Sequence, residues 1–142
     1  MSHIYPVPDK AIKDVSELKE GMLVWYAGAG GICNPSVTGV YRFREVTNEG
    51  KFAYFVYQKE NDGTHEDEYF LGKPFGREMS LLDANVLRDN NYNDWYLFRN
   101  EQDAIDAVAD MKALEETDPV VKNKKIETLE EYRFFQMEYD WI

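Results

Sequence analysis

The chain has 142 residues, of which 44% are hydrophobic and 15% aromatic, and its formal net charge is −11. This length and apolar content predict a single folded domain with its own core and exclude an intrinsically disordered chain. The acidic excess argues against direct binding to nucleic acid or to an anionic membrane, because both require lysine and arginine to neutralise phosphates. The partner that this charge favours is a basic protein.

The cysteine content and the N-terminus bear on the cellular compartment. Cys33 is the only cysteine, which excludes an intramolecular disulfide framework and a cysteine-cluster zinc site. The N-terminus has no basic region followed by an apolar run, and 18 consecutive apolar residues occur nowhere. We therefore expect a soluble cytoplasmic protein without a membrane span.

Residues 1–20 are predicted to form an extended entry and one short helical turn, which Gly21 closes. The segment that follows is rich in the β-branched and aromatic side chains that favour strands. Its first three strands are predicted over Met22–Ala27, Gly39–Val46 and Lys51–Tyr57. Gly28–Ser36 contains three glycines and a proline, and is predicted to be a mobile loop between the first two strands.

Two turns with glycine at the left-handed position, Asn48–Gly50 and Asn61–Gly63, predict an antiparallel meander. The meander continues into a fourth strand at about Glu66–Leu71. A loop is predicted next, at Gly72–Arg77. Met79–Leu87 fits a short helix and a strand equally well, and a last strand is predicted at Trp95–Arg99.

Two helices are predicted after the last strand. Asn100 is a good N-cap, the acids that follow suit the positive end of a helix dipole, and apolar residues then form one stripe. Asp118 and Pro119 can cap and begin the second helix. A helix to about Met137 is favoured over a final strand, although apolar side chains alternate from Phe135 onward as they would in a strand.

The predicted fold class is therefore α+β. A small antiparallel β-meander or SH3-like half-barrel of about five strands occupies residues 21–99, and two helices in residues 100–142 pack on it. Residues 101–142 carry 12 acids and 5 bases, a net charge of −7, so the acidic excess lies mainly on the helices.

The sequence predicts no catalytic, cofactor or metal site. The glycines of Gly28–Ser36 lack the continuation of a phosphate-binding loop, and only two histidines could serve Cys33 as a base. Oxygen and imidazole ligands cluster at Asp62, His65, Glu66, Asp67 and Glu68. Their spacing does not match a calcium loop, so a solvated acidic hairpin is the favoured interpretation.

The first functional hypothesis is a non-enzymatic protein-interaction module that binds a basic partner and could inhibit it. In its sharper version, carboxylates on the helices imitate phosphates and occupy a nucleic-acid-binding protein. The assigned partner surface comprises Asp103, Asp106, Asp110, Glu115, Glu116, Tyr139 and Trp141. The two rings could instead pack back on the barrel, which the poor solubility of exposed tryptophan favours. Small, acidic, aromatic-rich chains have the general character of viral accessory proteins, including those of phages.

The second hypothesis is a small-molecule or nucleotide-binding domain in which the Gly28–Ser36 loop covers an aromatic pocket. The residues assigned to that pocket are Trp25, Tyr26, Tyr41, Tyr54, Arg42 and Arg44. The two arginines also fit a strand face for single-stranded nucleic acid, but cross-strand pairing with acids is favoured for them. Strands that are apolar on both faces suit a homodimer interface as well as a core.

Overall fold

The computed structural model describes residues 3–30, 34–87 and 93–140, the last six of them as backbone only. The described residues form eight strands: β1 (Leu23–Ala29), β2 (Ser36–Thr47), β3 (Phe52–Asn61), β4 (Thr64–Asp67), β5 (Tyr69–Phe70), β6 (Lys73–Pro74), β7 (Gly76–Ser80) and β8 (Asp94–Phe98). Two helices follow, α1 (Glu101–Thr117) and α2 (Pro119–Asp140), and two single 3₁₀ turns lie at Val15–Glu17 and Asn48–Gly50.

The main sheet is an antiparallel meander in the order β4-β3-β2-β1-β8, with β7 also paired to β3. Gln58 to Asn61 of β3 pair with β4, and Phe52 to Val56 pair with β7. The amide of Tyr57 donates to Phe75, and its carbonyl accepts from Glu68, so β4 and β7 lie along the same edge of β3. The small β5–β6 hairpin is inserted between them. The α+β meander with two C-terminal helices is confirmed, with six strands in the sheet.

The predicted strand ends need several corrections. β1 continues to Ala29, because β8 pairs with it as far as Asp94, and β2 begins at Ser36, so both ends of the predicted loop Gly28–Ser36 belong to strands, while residues 31–33 lie outside the described residues. The predicted fourth strand stops at Asp67, and its last residues enter the β5–β6 hairpin. The prediction of a loop at Gly72–Arg77 is wrong, since β6 and the start of β7 lie there. After β7 the chain forms turns over residues 81–87, and the strand predicted at Trp95–Arg99 is confirmed as β8.

Two apolar cores lie on opposite faces of the sheet. The inner core fills the curled meander with Ile12, Leu18, Val24, Tyr41, Phe43, Ala53, Phe55, Met79, Leu81, Ala84, Val86 and Leu97. The outer core joins the sheet to α1 and the N-terminal segment through Ile4, Tyr5, Ala11, Trp25, Ala27, Ala29, Tyr96, Phe98, Ala104, Ala107, Val108, Met111 and Val121. Alternation along each strand separates the two sets.

Both helices begin at the capping residues that the sequence predicts. The Asn100 side chain accepts from the amide of Asp103 at 2.9 Å and so caps α1 at the predicted position. The Asp118 carboxylate accepts from the amide of Val120 at 2.9 Å at the start of α2. α1 packs on β1, β2 and β8, whereas α2 packs mainly on α1. Because α2 runs to Asp140, the helical alternative holds for the described C-terminal backbone.

Candidate partner-binding surface

One flank of α1, beside the stripe that packs on the sheet, carries a row of carboxylates. Asp103, Asp106 and Asp110 are spaced i, i+3 and i+7, which places them on one stripe of a helix. Asp106 and Asp110 are exposed and Asp103 is half-buried. We call these three residues the acidic ridge. The stripe of α1 next to the ridge is buried against the sheet, so the helix backbone that carries the ridge has a fixed orientation.

The local contacts of the ridge do not neutralise it. The Asp103 carboxylate accepts from the Asn100 side-chain amide at 3.0 Å, and that of Asp106 accepts from Gln102 at 2.8 Å. Both donors are uncharged. Within residues 3–30, 34–87 and 93–134, none of the three ridge carboxylates forms an ion pair with a lysine or arginine.

An apolar groove borders the ridge where the N-terminal segment crosses α1. It has a volume of about 200 Å³ and is lined by Pro6, Val7, Pro8, Asp9, Ala107, Asp110, Met111 and Leu114. Asp9 and Asp110 are exposed acids at its rim, one from each wall. The groove is not predictable from the sequence, because its walls lie about a hundred residues apart in the chain and no local pattern joins them.

Glu115 must be removed from the partner surface that the sequence predicts. Its carboxylate forms an ion pair with Lys125 and accepts a hydrogen bond from the Tyr5 hydroxyl, so it ties α1 to α2 and to the N-terminal segment. Burial acts to raise the pKa of Glu115, but the contacts with Lys125 and Tyr5 outweigh it and lower that pKa. Glu116 is exposed at the C-terminal end of α1, beyond the ridge.

We expect Glu115→Ala to lower the free energy of unfolding by about 1–2 kcal/mol, because it leaves Lys125 and the Tyr5 hydroxyl without their shared acceptor. The neighbouring Glu116→Ala is the matched control, and it should change stability by less than about 0.5 kcal/mol. Urea unfolding of both variants makes the comparison. Equal losses would contradict the internal role of Glu115.

The aromatic part of the predicted partner surface falls largely outside the described residues. Tyr139 lies in α2, but only its backbone is described, and Trp141 is not described at all. Cys33 is also outside the described ranges. The two interpretations of the C-terminal rings, anchor and packed element, therefore both stay predictions.

The residues of the predicted ligand pocket are divided between the two faces of the sheet. Tyr41 belongs to the inner core, and Tyr26 packs against that core and stacks on Trp95 with ring centroids 5.3 Å apart. Burial raises the pKa of Tyr26 to about 12. Trp25, the next residue along β1, belongs to the outer core and meets His65 edge to face at 5.7 Å. Adjacent residues of a strand point to opposite sides, so Trp25 is separated from Tyr26 and Tyr41, which share the inner side of the sheet.

Arg42 and Arg44 are occupied by a cross-strand network. The Asp67 carboxylate accepts from Arg42 Nε at 2.9 Å, from an Arg44 Nη atom at 2.7 Å and from Gln58 at 2.6 Å. Arg42 also donates to the Gly21 carbonyl at 2.6 Å. The predicted pairing of these arginines with an acid across the sheet is confirmed, and it occupies donors of both side chains within the sheet.

Tyr54, the last member of the predicted pocket, lies in β3 between β2 and β7. Its hydroxyl donates to the Pro74 carbonyl at 3.2 Å and so holds the base of the β5–β6 hairpin. Its ring also borders the position where Gly76 passes the backbone of Phe55. This residue therefore has a packing role that does not depend on a ligand.

In the part of the chain that the structure describes, no group of three or more His, Cys, Asp or Glu side chains is placed to hold a metal ion. Neither described helix combines the length and the apolar character needed to cross a membrane.

No protein-family model, curated protein or solved structure matches the chain. Evidence for function therefore comes from the placement and chemistry of its own residues.

Proposed function

We propose that the protein is a non-enzymatic interaction module that binds a basic partner through the acidic ridge of α1. The observation that carries the proposal is the row of three fixed carboxylates, Asp103, Asp106 and Asp110, that no cation of the described chain neutralises. A surface of this kind attracts and orients a cationic partner over several ångströms before contact.

The stability of α1 accounts for Asp103, which lies in the first turn at the positive end of the helix dipole, but not for Asp106 and Asp110. Carboxylates at i, i+3 and i, i+4 repel one another and destabilise a helix by about 0.2–0.5 kcal/mol per pair. Aspartate within a helix is also less favourable than alanine. A partner that supplies lysine or arginine would turn these repulsions into attractions. The buried stripe of α1 meanwhile holds the ridge rigid, so little entropy is lost when a partner binds.

The groove beside the ridge narrows the class of partner. Val7, Met111 and Leu114 offer an apolar floor, and Asp9 and Asp110 place acids on both sides of it. A volume of about 200 Å³ is below the 300–1,000 Å³ typical of small-molecule pockets and suits a protein side chain better. We therefore favour a partner that presents an apolar side chain flanked by lysine or arginine.

In the inhibitory form of this proposal, the acidic ridge occupies the nucleic-acid-binding surface of its partner. A protein that binds nucleic acid presents lysines and arginines in rows that match phosphates. The ridge offers negative charges about 4.5 Å and about 6 Å apart along the helix axis, from a rise of 1.5 Å per residue. Competition between the protein and a DNA or RNA ligand for the same partner would support this form.

The proposal is tested with a triple charge reversal, Asp103→Lys, Asp106→Lys and Asp110→Lys, in the full chain. Lysine is a good helix former, so α1 should persist, and circular dichroism checks this. The tagged protein first captures a partner from a lysate of the organism that encodes it, and the purified partner is then titrated. We expect the triple variant to weaken binding by at least about tenfold, which corresponds to about 1.4 kcal/mol.

The matched control reverses three exposed acids elsewhere, Glu49→Lys, Glu60→Lys and Glu66→Lys, and changes the net charge by the same amount. This control should keep the affinity of the wild type within about threefold, because the reversed charges lie away from α1. Equal weakening by both variants would show that only net charge matters, and no weakening by either would contradict the ridge as the binding surface.

A ligand-binding domain is the second candidate, and one observation favours it. The stacked rings of Tyr26 and Trp95 lie beside Gly30, where an added Cβ would be 2.6 Å from Trp95 Nε1. A planar ligand could stack at this end of the sheet. A thermal-shift screen with nucleotides and sugars tests this candidate, because a ligand of the folded state raises the melting temperature. No shift across the panel would contradict it.

A further inference from the structure

The β5–β6 hairpin exposes a contiguous apolar patch. Tyr69, Phe70 and Leu71 are consecutive and retain 64%, 64% and 86% of their accessible surface, and Phe75 just after the hairpin retains 46%. Single exposed apolar residues are ordinary on a protein surface, but a contiguous patch marks an interaction site. We call these four residues the hairpin patch.

The backbone at the tip of the hairpin supports a function for the patch. Leu71 and Gly72 have φ angles of +52° and +77°, as in a turn that strongly prefers Asn-Gly. A leucine in the left-handed region is strained, because its Cβ crowds the following carbonyl. The other non-glycine residues with positive φ in the described ranges are Asn48, Glu49, Asp62 and Asn85, all of them polar. Leucine is thus present where asparagine would give a more stable turn.

The patch is presented on a firm base. The Tyr54 hydroxyl donates a hydrogen bond to the Pro74 carbonyl, and the ring centroids of Tyr57 and Phe75 lie 5.0 Å apart. The ring centroids of Phe75 and Phe70 lie 6.0 Å apart. These contacts link the hairpin to β3, so the exposed rings have defined positions relative to the sheet.

We propose that the hairpin patch is the interface of a homodimer with two-fold symmetry. Its four side chains offer about 500 Å² per copy, so two copies would bury about 1,000 Å², near the lower limit for a specific interface. Interfaces at this lower limit are typical of weak, transient association. Closed two-fold dimers are the commonest assemblies of identical chains.

The distribution of charge favours a second copy at this place. α1 packs on β1 and β8, whereas the hairpin lies at the opposite edge of the sheet, beyond β3. Contact through the hairpin keeps the acidic helices of the two copies apart. Residues 69–77 contain no acid and two bases, Lys73 and Arg77, so the patch lies in a stretch without the acidic excess of the chain.

The pairing pattern of the hairpin suits two-fold contact. In the described structure β5 pairs only with β6, so one edge of β5 is open to a second strand. Pro74 has no amide hydrogen and makes β6 the poorer edge for such pairing. Antiparallel pairing of β5 with its own copy would place the two patches side by side around the symmetry axis.

Sedimentation equilibrium between about 5 and 500 µM tests the proposal, because this range spans micromolar dissociation constants. The average mass of the wild-type chain should rise from 16.6 kDa towards twice that value. Leu71→Asn should remain a monomer throughout. It should also raise the melting temperature of the dilute monomer by about 2–4 °C, because the strained turn is relieved.

Two control variants separate this account from general effects. Ile105→Asn removes an exposed apolar side chain from α1 and should leave the dimer intact. Glu49→Asn relieves another left-handed residue and should also leave it intact. A wild-type chain that stays at 16.6 kDa at all concentrations would overturn the proposal, even if the patch bound lipid vesicles or another protein. Dimerisation of Leu71→Asn as strong as that of the wild type would overturn it as well.

The dimer and the partner complex are distinguished by salt. Two copies with a net charge of −11 repel, so added salt should strengthen the dimer, whereas it should weaken the complex with a basic partner. The dimer proposal does not rest on the proposed function, and either can fail without the other. If both hold, one dimer carries two acidic ridges and binds a multivalent partner with avidity.

Discussion

Gly28→Ala is expected to lower the free energy of unfolding by about 3–5 kcal/mol, since it combines backbone strain with a clash inside a packed sheet. Gly28 has a φ of +145°, and a Cβ added there would lie 1.8 Å from the carbonyl oxygen of Asp94. The neighbouring backbone of β8 cannot easily yield, because the Asp94 carboxylate is buried and accepts from the Ile4 amide at 3.1 Å. Denaturant unfolding measures the loss.

Gly63→Ala provides the control for this substitution. Gly63 has a φ of +81°, and nothing lies within 4 Å of a Cβ added there. Gly63→Ala should lower the free energy of unfolding by only about 1 kcal/mol, which is the strain of placing alanine at a positive φ. If Gly28→Ala costs no more than Gly63→Ala, the close approach of β1 and β8 would be contradicted.

Asp67→Asn is expected to lower the free energy of unfolding by about 2–3 kcal/mol at pH 7, because it leaves two arginines on the sheet without their shared carboxylate. The Asp67 side chain is only 13% exposed, and that of Arg44 is 36% exposed, so solvent screens the network only in part. Glu60→Gln, on the neighbouring exposed strand end, should change stability by less than about 0.5 kcal/mol.

The pH dependence of this effect follows from the Asp67 carboxyl. Burial acts to raise its pKa, but the hydrogen bonds from Gln58 and Arg42 outweigh it and hold the pKa of Asp67 below its usual range. A carboxyl whose pKa falls on folding stabilises the protein above its unfolded value of about 4, and this stabilisation is lost as the pH falls through the folded value. The wild type and Asp67→Asn should therefore converge in stability below about pH 4. A difference that is unchanged down to pH 2 would contradict the ionic role.

Local signals predicted much of this fold. The cap at Asn100, the turn at Asp62 and Gly63, and the apolar stripe of α1 each depend on a few neighbouring residues, and all three are present. The segment Gly72–Arg77 misled the sequence analysis because glycine and proline usually mark loops. It forms strands because β3 supplies a pairing edge, and Gly76 lets β7 pass the Phe55 carbonyl, where a Cβ would be only 2.2 Å away.

The candidate surface was predictable only in part. Helical spacing alone placed Asp103, Asp106 and Asp110 together, because the i, i+3, i+7 pattern is local. The structural role of Glu115 was not predictable, since its partners Tyr5 and Lys125 come from distant parts of the chain. The groove and the hairpin patch were not predicted either, because both depend on how the folded chain covers or exposes apolar side chains. An apolar residue in the chain carries no local sign of whether tertiary packing will cover it.

The salt dependence of partner binding tests the central claim, that the acidic ridge binds a basic partner, most directly. The dissociation constant of the purified partner is measured between about 50 and 500 mM salt for the wild type and for Asp103→Asn, Asp106→Asn, Asp110→Asn combined, because exposed charges are increasingly screened over this range. Binding by the wild type should weaken steeply with salt, and the triple variant should bind more weakly with a clearly smaller slope. Identical affinities and slopes for the two proteins would contradict the claim.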